Sequence, residues 1–232
     1  MKEIFDTYIA DSFGAYEQAP IKFVQFERNY RQYFPADRAA RVLDIGVGRG
    51  EMLSLMKSWG YADYLGVDIS PDTIAYCRTL GLSCELLEDT AAWLLERPGA
   101  FSLITLLDVL EHFPKKEIIP FVKALRCSLA PGAIVLVQVP NLQSPDGHIH
   151  RYNDFTHEVG FTEDSLRQVL VAGGFRDIAF HGFEELASGG VRGLVARALR
   201  GVYWKAVRIA RTLNTNKNPA VLNPVFYAAC RK

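Results

Sequence analysis

Residues 41 to 51 read Arg-Val-Leu-Asp-Ile-Gly-Val-Gly-Arg-Gly-Glu, an apolar run, then an acid at Asp44, then glycines at Gly46, Gly48 and Gly50. Without a Cβ, such glycines let a chain turn sharply and approach a ligand closely. The spacing is not the Gly-x-Gly-x-x-Gly of dinucleotide-binding turns. A carboxylate beside the turn would repel a pyrophosphate and suits a ligand with a positive end. Roughly twenty residues past the glycines, Tyr64-Leu65-Gly66-Val67-Asp68-Ile69 is a short apolar segment ending in an acid, the separation expected of a ribose-binding carboxylate. Asp68 can accept hydrogen bonds from both ribose hydroxyls. Glu88-Asp89-Thr90 follows a third apolar segment and could reach an adenine amino group. A fourth, from Phe101, runs into Asp108-Val109-Leu110-Glu111-His112.

S-Adenosylmethionine (SAM), with its ammonium and sulfonium, has the charge and the ribose that these groups suit. Through them the chain resembles the class I SAM-dependent methyltransferases over residues 42 to 175. The resemblance rests on the Asp44 to Gly50 loop, Gly66-Val67-Asp68, the 108–112 stretch, and Leu129-Ala130-Pro131-Gly132-Ala133. The last is similar to the family's L-x-P-G-G turn, with Ala133 in place of the second glycine. Arg49 stands where the family often has a small or polar residue, and it either points outward or narrows the loop. The resemblance implies SAM as cofactor, held by Asp44, Gly46, Gly48, Gly50, Asp68, Ile69, Asp89, Thr90, Asp108 and Val109, with His112 closing the pocket.

Methyl transfer from a sulfonium is an in-line displacement in which the protein positions the acceptor and excludes water. A hydroxyl acceptor needs a general base or a metal. Four of the five histidines lie at 112, 148, 150 and 157, three of them in the polar segment 140–158. Histidine accepts a proton near neutral pH without a large shift. His157 is the first choice as base, with Glu158 or Asp154 orienting it, and His150 is the second. Asn141, Gln143, Arg151, Tyr152 and Asp154 are the expected acceptor-binding residues. The competing reading is that these polar groups cap the next helix and bind each other. Asp108, Asn141 and His112 could ligate a metal, but no tightly spaced acidic pair supports it, and none is expected. The run from Arg151 to Glu158, with Gly160-Phe161-Thr162 and Ser165-Leu166, is similar to a branch of methyltransferases from bacterial surface-polysaccharide gene clusters. That implies a sugar or glycan hydroxyl as acceptor.

Strands are expected near 41–45, 63–67, 83–87, 101–107, 133–139, 176–181 and 225–230. Helices are expected near 50–59, 71–80, 90–96, 115–129 and 162–173. Ser70-Pro71 and Thr162 start helices well, and Gly173-Gly174 ends one. Such alternation means a doubly wound α/β domain with a mainly parallel seven-stranded sheet and ligands at the carboxyl ends of its strands. The resemblance implies that the last strand runs antiparallel. It also makes the aromatic-rich residues 1–36 a helical lid, although a helix packed on the sheet edge fits equally. The whole chain reads as one methyltransferase domain.

The family's minimal pattern is broken by some forty residues before the last strand, an insertion over 184–220. Val191, Leu194, Val195, Leu199, Val202, Ile209 and Leu213 recur at helical spacing, with Arg197, Arg200, Lys205, Arg208 and Arg211 between them. No acid follows Glu185. A basic amphipathic helix with Tyr203-Trp204 at its boundary reads as a membrane-surface element over 191–213. The alternative is a helix packed on its own domain or on a homodimer partner. Gly193 and Gly201 each weaken the helix by about 1 kcal/mol relative to alanine.

The 232 residues suffice for one α/β domain with an appendage. Lys plus Arg and Asp plus Glu both number 26, so net charge is zero and nothing points to nucleic acid. Lys2, Glu3, Asp6 and Asp11 interrupt any signal-peptide core, and no apolar run reaches 18 residues. Four scattered cysteines without a Cys-x-x-Cys argue against zinc and for reduced thiols in a cytoplasmic protein, and the membrane reading of the basic helix would place it at the inner face of the membrane. Two rival functions remain beside glycan O-methylation. One is methylation of a membrane-associated small molecule such as a quinone precursor. The other is an inactive partner protein, against which the intact acids at 44, 68 and 108 argue.

Overall fold

The computed structural model describes residues 2–7, 18–185 and 190–232. Tyr8, Phe13 and Tyr16 of the expected lid, and 186–189 of the insertion, lie outside the described residues. The strands are β1 (Val42–Ile45), β2 (Tyr64–Asp68), β3 (Cys84–Leu86), β4 (Phe101–Leu107), β5 (Leu129–Pro140), β6 (Asp177–Gly182) and β7 (Val225–Arg231). They form one sheet in the order β3-β2-β1-β4-β5-β7-β6. β7 pairs antiparallel with both β5 and β6, and the other pairings are parallel. The expected strands and the antiparallel last strand are therefore present. Chain order reverses between β1 and β4, and a crevice opens there beyond the carboxyl ends of the strands.

The helices are α1 (Lys2–Asp6), α2 (Pro20–Tyr30), α3 (Glu51–Ser58), α4 (Pro71–Thr79), α5 (Thr90–Leu95), α6 (Lys115–Ser128), α7 (Gly147–Tyr152), α8 (Glu163–Ala172) and α9 (Gly190–Leu213). Local chemistry starts several of them. The Ser70 side chain accepts the Thr73 N–H, with Pro71 in the first turn of α4. Thr162 and Ser165 exchange bonds in a capping box at α8. Asp89 caps α5 through the Ala92 N–H.

Each sheet face is covered, which is why the central strands read as near-continuous apolar runs. On one side Leu43, Ile104, Leu106, Val135 and Val137 pack with Leu94, Phe121, Leu166 and Leu170 of α5, α6 and α8. On the other, Val42, Leu103 and Leu136 pack with Phe26, Tyr30, Leu53, Met56 and Ile74 of α2, α3 and α4. All four cysteines are free. Among the described residues no helix is long and apolar enough to cross a membrane.

The 140–158 segment is more ordered than its composition suggests. It contains α7, which the sequence reading treated as loop. Gly147 begins this helix so close to the preceding turn that a Cβ would lie 2.3 Å from the Asn141 carbonyl oxygen.

Candidate active site

A cavity of about 1350 Å³ opens at the carboxyl ends of β1, β2 and β4. Pockets for a single drug-sized ligand run to about 300–1,000 Å³, so this one has room for a cofactor and an acceptor. Its wall includes Asp44, Gly46, Gly48, Asp68, Ile69, Asp89, Thr90, Asp108, Val109 and His112. Every residue expected to hold the cofactor therefore lines it except Gly50. Gly50 sits just behind with φ +74, supplying the left-handed turn into α3. Gly46 has φ +75, and a Cβ there would meet Val109 Cγ2 at 2.2 Å. The loop is thus a cradle that a side chain would fill.

Asp44 is buried, and Asp68 and Asp108 are partly buried. Asp44 lies in the sheet and accepts a hydrogen bond from Thr105 Oγ1 at 2.6 Å. Burial pushes its carboxyl up to about 8, opposed by the Thr105 bond and reinforced by the charges of Asp68 and Glu51. Asp68 accepts the Ser70 N–H at 2.8 Å. Burial raises it to about 6, against backbone bonds from Ser70, Gly48 and Val47. Two acids raised in this way by burial on one cavity wall are candidates for ligand contacts. Arg49 does not point outward. Its side chain lies 3.4 Å from Glu51 and lines the cavity, so it narrows the cofactor loop.

Asp108 ends β4 in a left-handed conformation, φ +56, which is strained for a residue with a Cβ. Gln138 Nε2 donates to its Oδ2 at 2.8 Å, and Tyr30 donates to Gln138 Oε1. Its Oδ1 is buried with no hydrogen-bond partner among the described residues. A strained acid held from behind, with one orphaned oxygen on a cavity wall, fits a ligand donor. Gln138 and Tyr30 were missed from the sequence. A glutamine inside the apolar run from Ile134 to Val139 was the available signal.

The acceptor end is built around Glu111, His112 and His157. Glu111 is 1% exposed, and neither carboxylate oxygen has a hydrogen-bond partner among the described residues. Burial, with Asp108 next in effect, raises its carboxyl well above the usual range. His157 Nε2 lies 4.0 Å from Glu111 Oε1, and its Nδ1 lies 2.9 Å from the His150 carbonyl oxygen. A carbonyl only accepts, so Nδ1 carries the proton and the lone pair sits on Nε2. Thr156 Oγ1 is 2.6 Å from Asp154 Oδ1 and 2.8 Å from His112 Nδ1. Its single proton goes to the carboxylate, so His112 donates from Nδ1 and also keeps its lone pair on Nε2. Burial and the neighbouring His157 lower His112 to about 4, leaving it neutral near pH 7. One ligand atom each from Glu111, His112 and His157 lie within 4.8 Å of one another.

Other assignments need correcting. The carboxylate found 4.0 Å from His157 Nε2 is that of Glu111, while His150, Asp154 and Glu158 line the cavity. Asn141, Gln143, Arg151 and Tyr152, expected to bind the acceptor, are not on its wall. Asn141 is buried and donates to the Val221 and Asn223 carbonyls. Gln143 Oε1 accepts the Glu163 N–H. Arg151 donates to the His157 and Glu158 carbonyls, holding the loop that presents the base. Tyr152 points to solvent. The wall is completed by Ile4 and Phe5 of α1 and Lys22 and Phe26 of α2.

A buried-acid cleft of this form, on a sheet with this strand order, defines a SAM-dependent methyltransferase. A family model described as a methyltransferase domain matches residues 17–179, and the chain belongs to that family. Its cofactor is SAM. The chain is 30% identical over 110 residues to the ubiquinone biosynthesis O-methyltransferase of Xanthomonas campestris pv. campestris, covering 44% of each protein. It is 31% identical over 109 residues to the enzyme of the same description from Chromobacterium violaceum, again covering 44% of each. The match thus spans less than half the length of these curated relatives. Among solved structures, a SAM-dependent methyltransferase from Archaeoglobus fulgidus aligns with TM-score 0.71 at 23% identity, over 97% of this chain and 98% of that one. Phosphoethanolamine N-methyltransferase 2 of Haemonchus contortus, in complex with SAM, aligns with TM-score 0.56 at 16% identity, over 98% of this chain and 60% of that one. At these identities the likeness is one of fold.

Proposed function

We propose that the protein O-methylates a sugar or glycan hydroxyl, as the resemblance to polysaccharide-cluster methyltransferases implies, with His157 as general base. The observation that carries this is the Glu111–His157 pair on the cavity wall, beside the polar groups of His150, Asn153, Asp154 and Glu158. The bound cofactor supplies an electrophilic methyl group on a sulfonium. The acceptor oxygen would form the new C–O bond as the methyl–sulfur bond breaks and S-adenosylhomocysteine leaves, with the hydroxyl proton passing to Nε2 of His157. The His150 carbonyl fixes the tautomer that makes this nitrogen basic. A positive charge on the ring would in turn draw the buried Glu111 carboxyl, 4.0 Å away, toward ionisation.

A second reading keeps the residues and changes the activation. One ring nitrogen each of His112 and His157 and a carboxylate oxygen of Glu111 lie within 4.8 Å of one another, a donor set that could hold a divalent cation, which would acidify a bound hydroxyl. A second acceptor class is also supported. Phe5, Phe26, Phe113 and Phe155 line the cavity, and matched relatives act in ubiquinone biosynthesis. A lipid-soluble quinone precursor suits that wall.

One assay separates these readings: transfer of radiolabelled methyl from SAM to nucleotide sugars, lipid-linked glycans and catechol-type quinone precursors, with and without EDTA. The proposal predicts label on a sugar hydroxyl that survives EDTA. Label on the catechol alone would overturn the acceptor class, and loss of all transfer in EDTA would overturn the unaided base.

A further inference from the structure

The longest helix of the protein has its apolar side turned the wrong way for a helix packed on its own domain. At 3.6 residues per turn, Val191, Val195, Val202, Ile209 and Leu213 share one side of α9. All are solvent-exposed, Val202 by 67% and Ile209 by 62%, and Leu199 beside them is exposed by 64%. The other side faces the protein. Trp204, Val207, Arg208 and Arg211 are half-buried there, and Gly193 is buried. Arg208 donates to the Pro219 and Ala220 carbonyls, and Arg211 to the Lys217 and Gln143 carbonyls. These bonds fix the helix with its apolar face outward. A contiguous patch of this kind on a soluble surface marks an interaction site.

We propose that this face of α9 lies on an anionic lipid surface, docking the enzyme at a membrane. Charge decides between the candidate occupants. Arg197, Arg200 and Lys205 are exposed along the helix, and no acid occurs from 186 to the end of the chain. Lys205 flanks the apolar side while Arg197 and Arg200 lie across the helix from it, and pairing two copies along α9 would bring two basic helices together with no acid on either to answer them. A bilayer of acidic headgroups neutralises them while its acyl region takes Val202 and Ile209. Tyr203, 44% exposed, lies between the outward apolar side and the protein-facing side, where its ring contacts the half-buried Trp204 at 5.0 Å between centroids. At 1.5 Å per residue the helix is about 36 Å long. It carries too many cations to span a bilayer, so it lies in the plane.

The docked helix is tied to the turn after β5 and to the start of α8. Arg211 bonds the Gln143 carbonyl, and Lys217, just past its end, lies 3.7 Å from Asp164. This inference does not depend on the acceptor class. It stands for a lipid-linked glycan, a quinone precursor or a soluble acceptor.

The test is sedimentation of the full chain with vesicles of phosphatidylcholine alone and with about 30% phosphatidylglycerol. Binding is expected only to the anionic vesicles, and it should weaken with salt. V202E/I209E should lower vesicle affinity at least tenfold, and R197Q/R200Q/K205Q likewise. Both variants should retain the wild-type melting temperature and affinity for SAM, since their side chains support neither core nor cleft. Failure of the wild type to bind anionic vesicles overturns the proposal. So does a wild-type dimer that V202E/I209E converts to monomer, because a second copy would then cover the face.

Discussion

Replacing His157 with alanine is expected to lower methyl transfer by about 10²–10⁴-fold, the range for losing a general base, and to leave SAM affinity within about twofold. The expectation follows from position. His157 reaches the acceptor end of the cavity through a loop held by Arg151, whereas the cofactor-facing acids belong to β1, β2 and the end of β4. Removing the imidazole takes away the ring nitrogen that lies 4.0 Å from the Glu111 carboxyl on the cavity wall, while His112, lowered by burial to about 4, is the weaker base beside it. His157→Gln separates the base from a purely structural role. Glutamine can still donate to the His150 carbonyl but cannot accept a proton at neutral pH. Turnover should stay near the alanine level although the loop contact is restored. Full activity in either variant would remove His157 from the mechanism.

Replacing Asp68 with alanine should weaken SAM binding by roughly 100-fold or more. Two hydrogen bonds from ribose hydroxyls to a carboxylate contribute about 1.5–3 kcal/mol each, and about 1.4 kcal/mol is a factor of ten. The variant also leaves the Ser70 N–H without its acceptor at the start of α4, so some loss of stability accompanies the loss of affinity. Asp68→Asn distinguishes the two effects. It keeps an oxygen for Ser70 while losing the charge and one acceptor, and it should fold normally with SAM affinity still reduced. Calorimetric titration of both variants with SAM and with S-adenosylhomocysteine reads this directly, and wild-type affinity in Asp68→Asn would contradict the assignment.

The fold was legible because its signals are local or periodic. The Ser70-Pro71 start of α4, the Thr162 cap of α8, the apolar strands and the glycine cradle each depend on neighbours within a few residues. The cofactor wall was legible for the same reason, since strand ends place Asp44, Asp68 and Asp108 where the sheet order reverses. The acceptor wall was not. Asn141 binds carbonyls some eighty residues away in the chain, and Arg151 is consumed by the carbonyls of 157 and 158. A polar side chain in a loop satisfies either a ligand or a buried backbone group, and composition does not say which. Glu111 shows the reverse case. It stood in a motif read for its cofactor residues, and only burial without a partner reveals its place beside His157. The orientation of α9 was equally hidden, because periodicity defines an apolar side and not what it faces.

The central claim is that a cleft of buried acids is completed by a cation. Burial raises the Asp44 carboxyl to about 8 and that of Asp68 to about 6, which favours a protonated Asp44 at pH 7. The positive end of SAM favours the ionised carboxylate and pulls its pKa down. Binding at pH 7 must then release protons, and affinity must climb as the pH rises from about 6 toward about 8. The most direct measurement is calorimetric titration of the wild-type chain with SAM at pH 7 in two buffers of different ionisation enthalpy. Micromolar binding, with an apparent enthalpy that differs between the buffers in the sense of proton release, is the predicted result. Binding with no buffer dependence, or no binding at all, would contradict it.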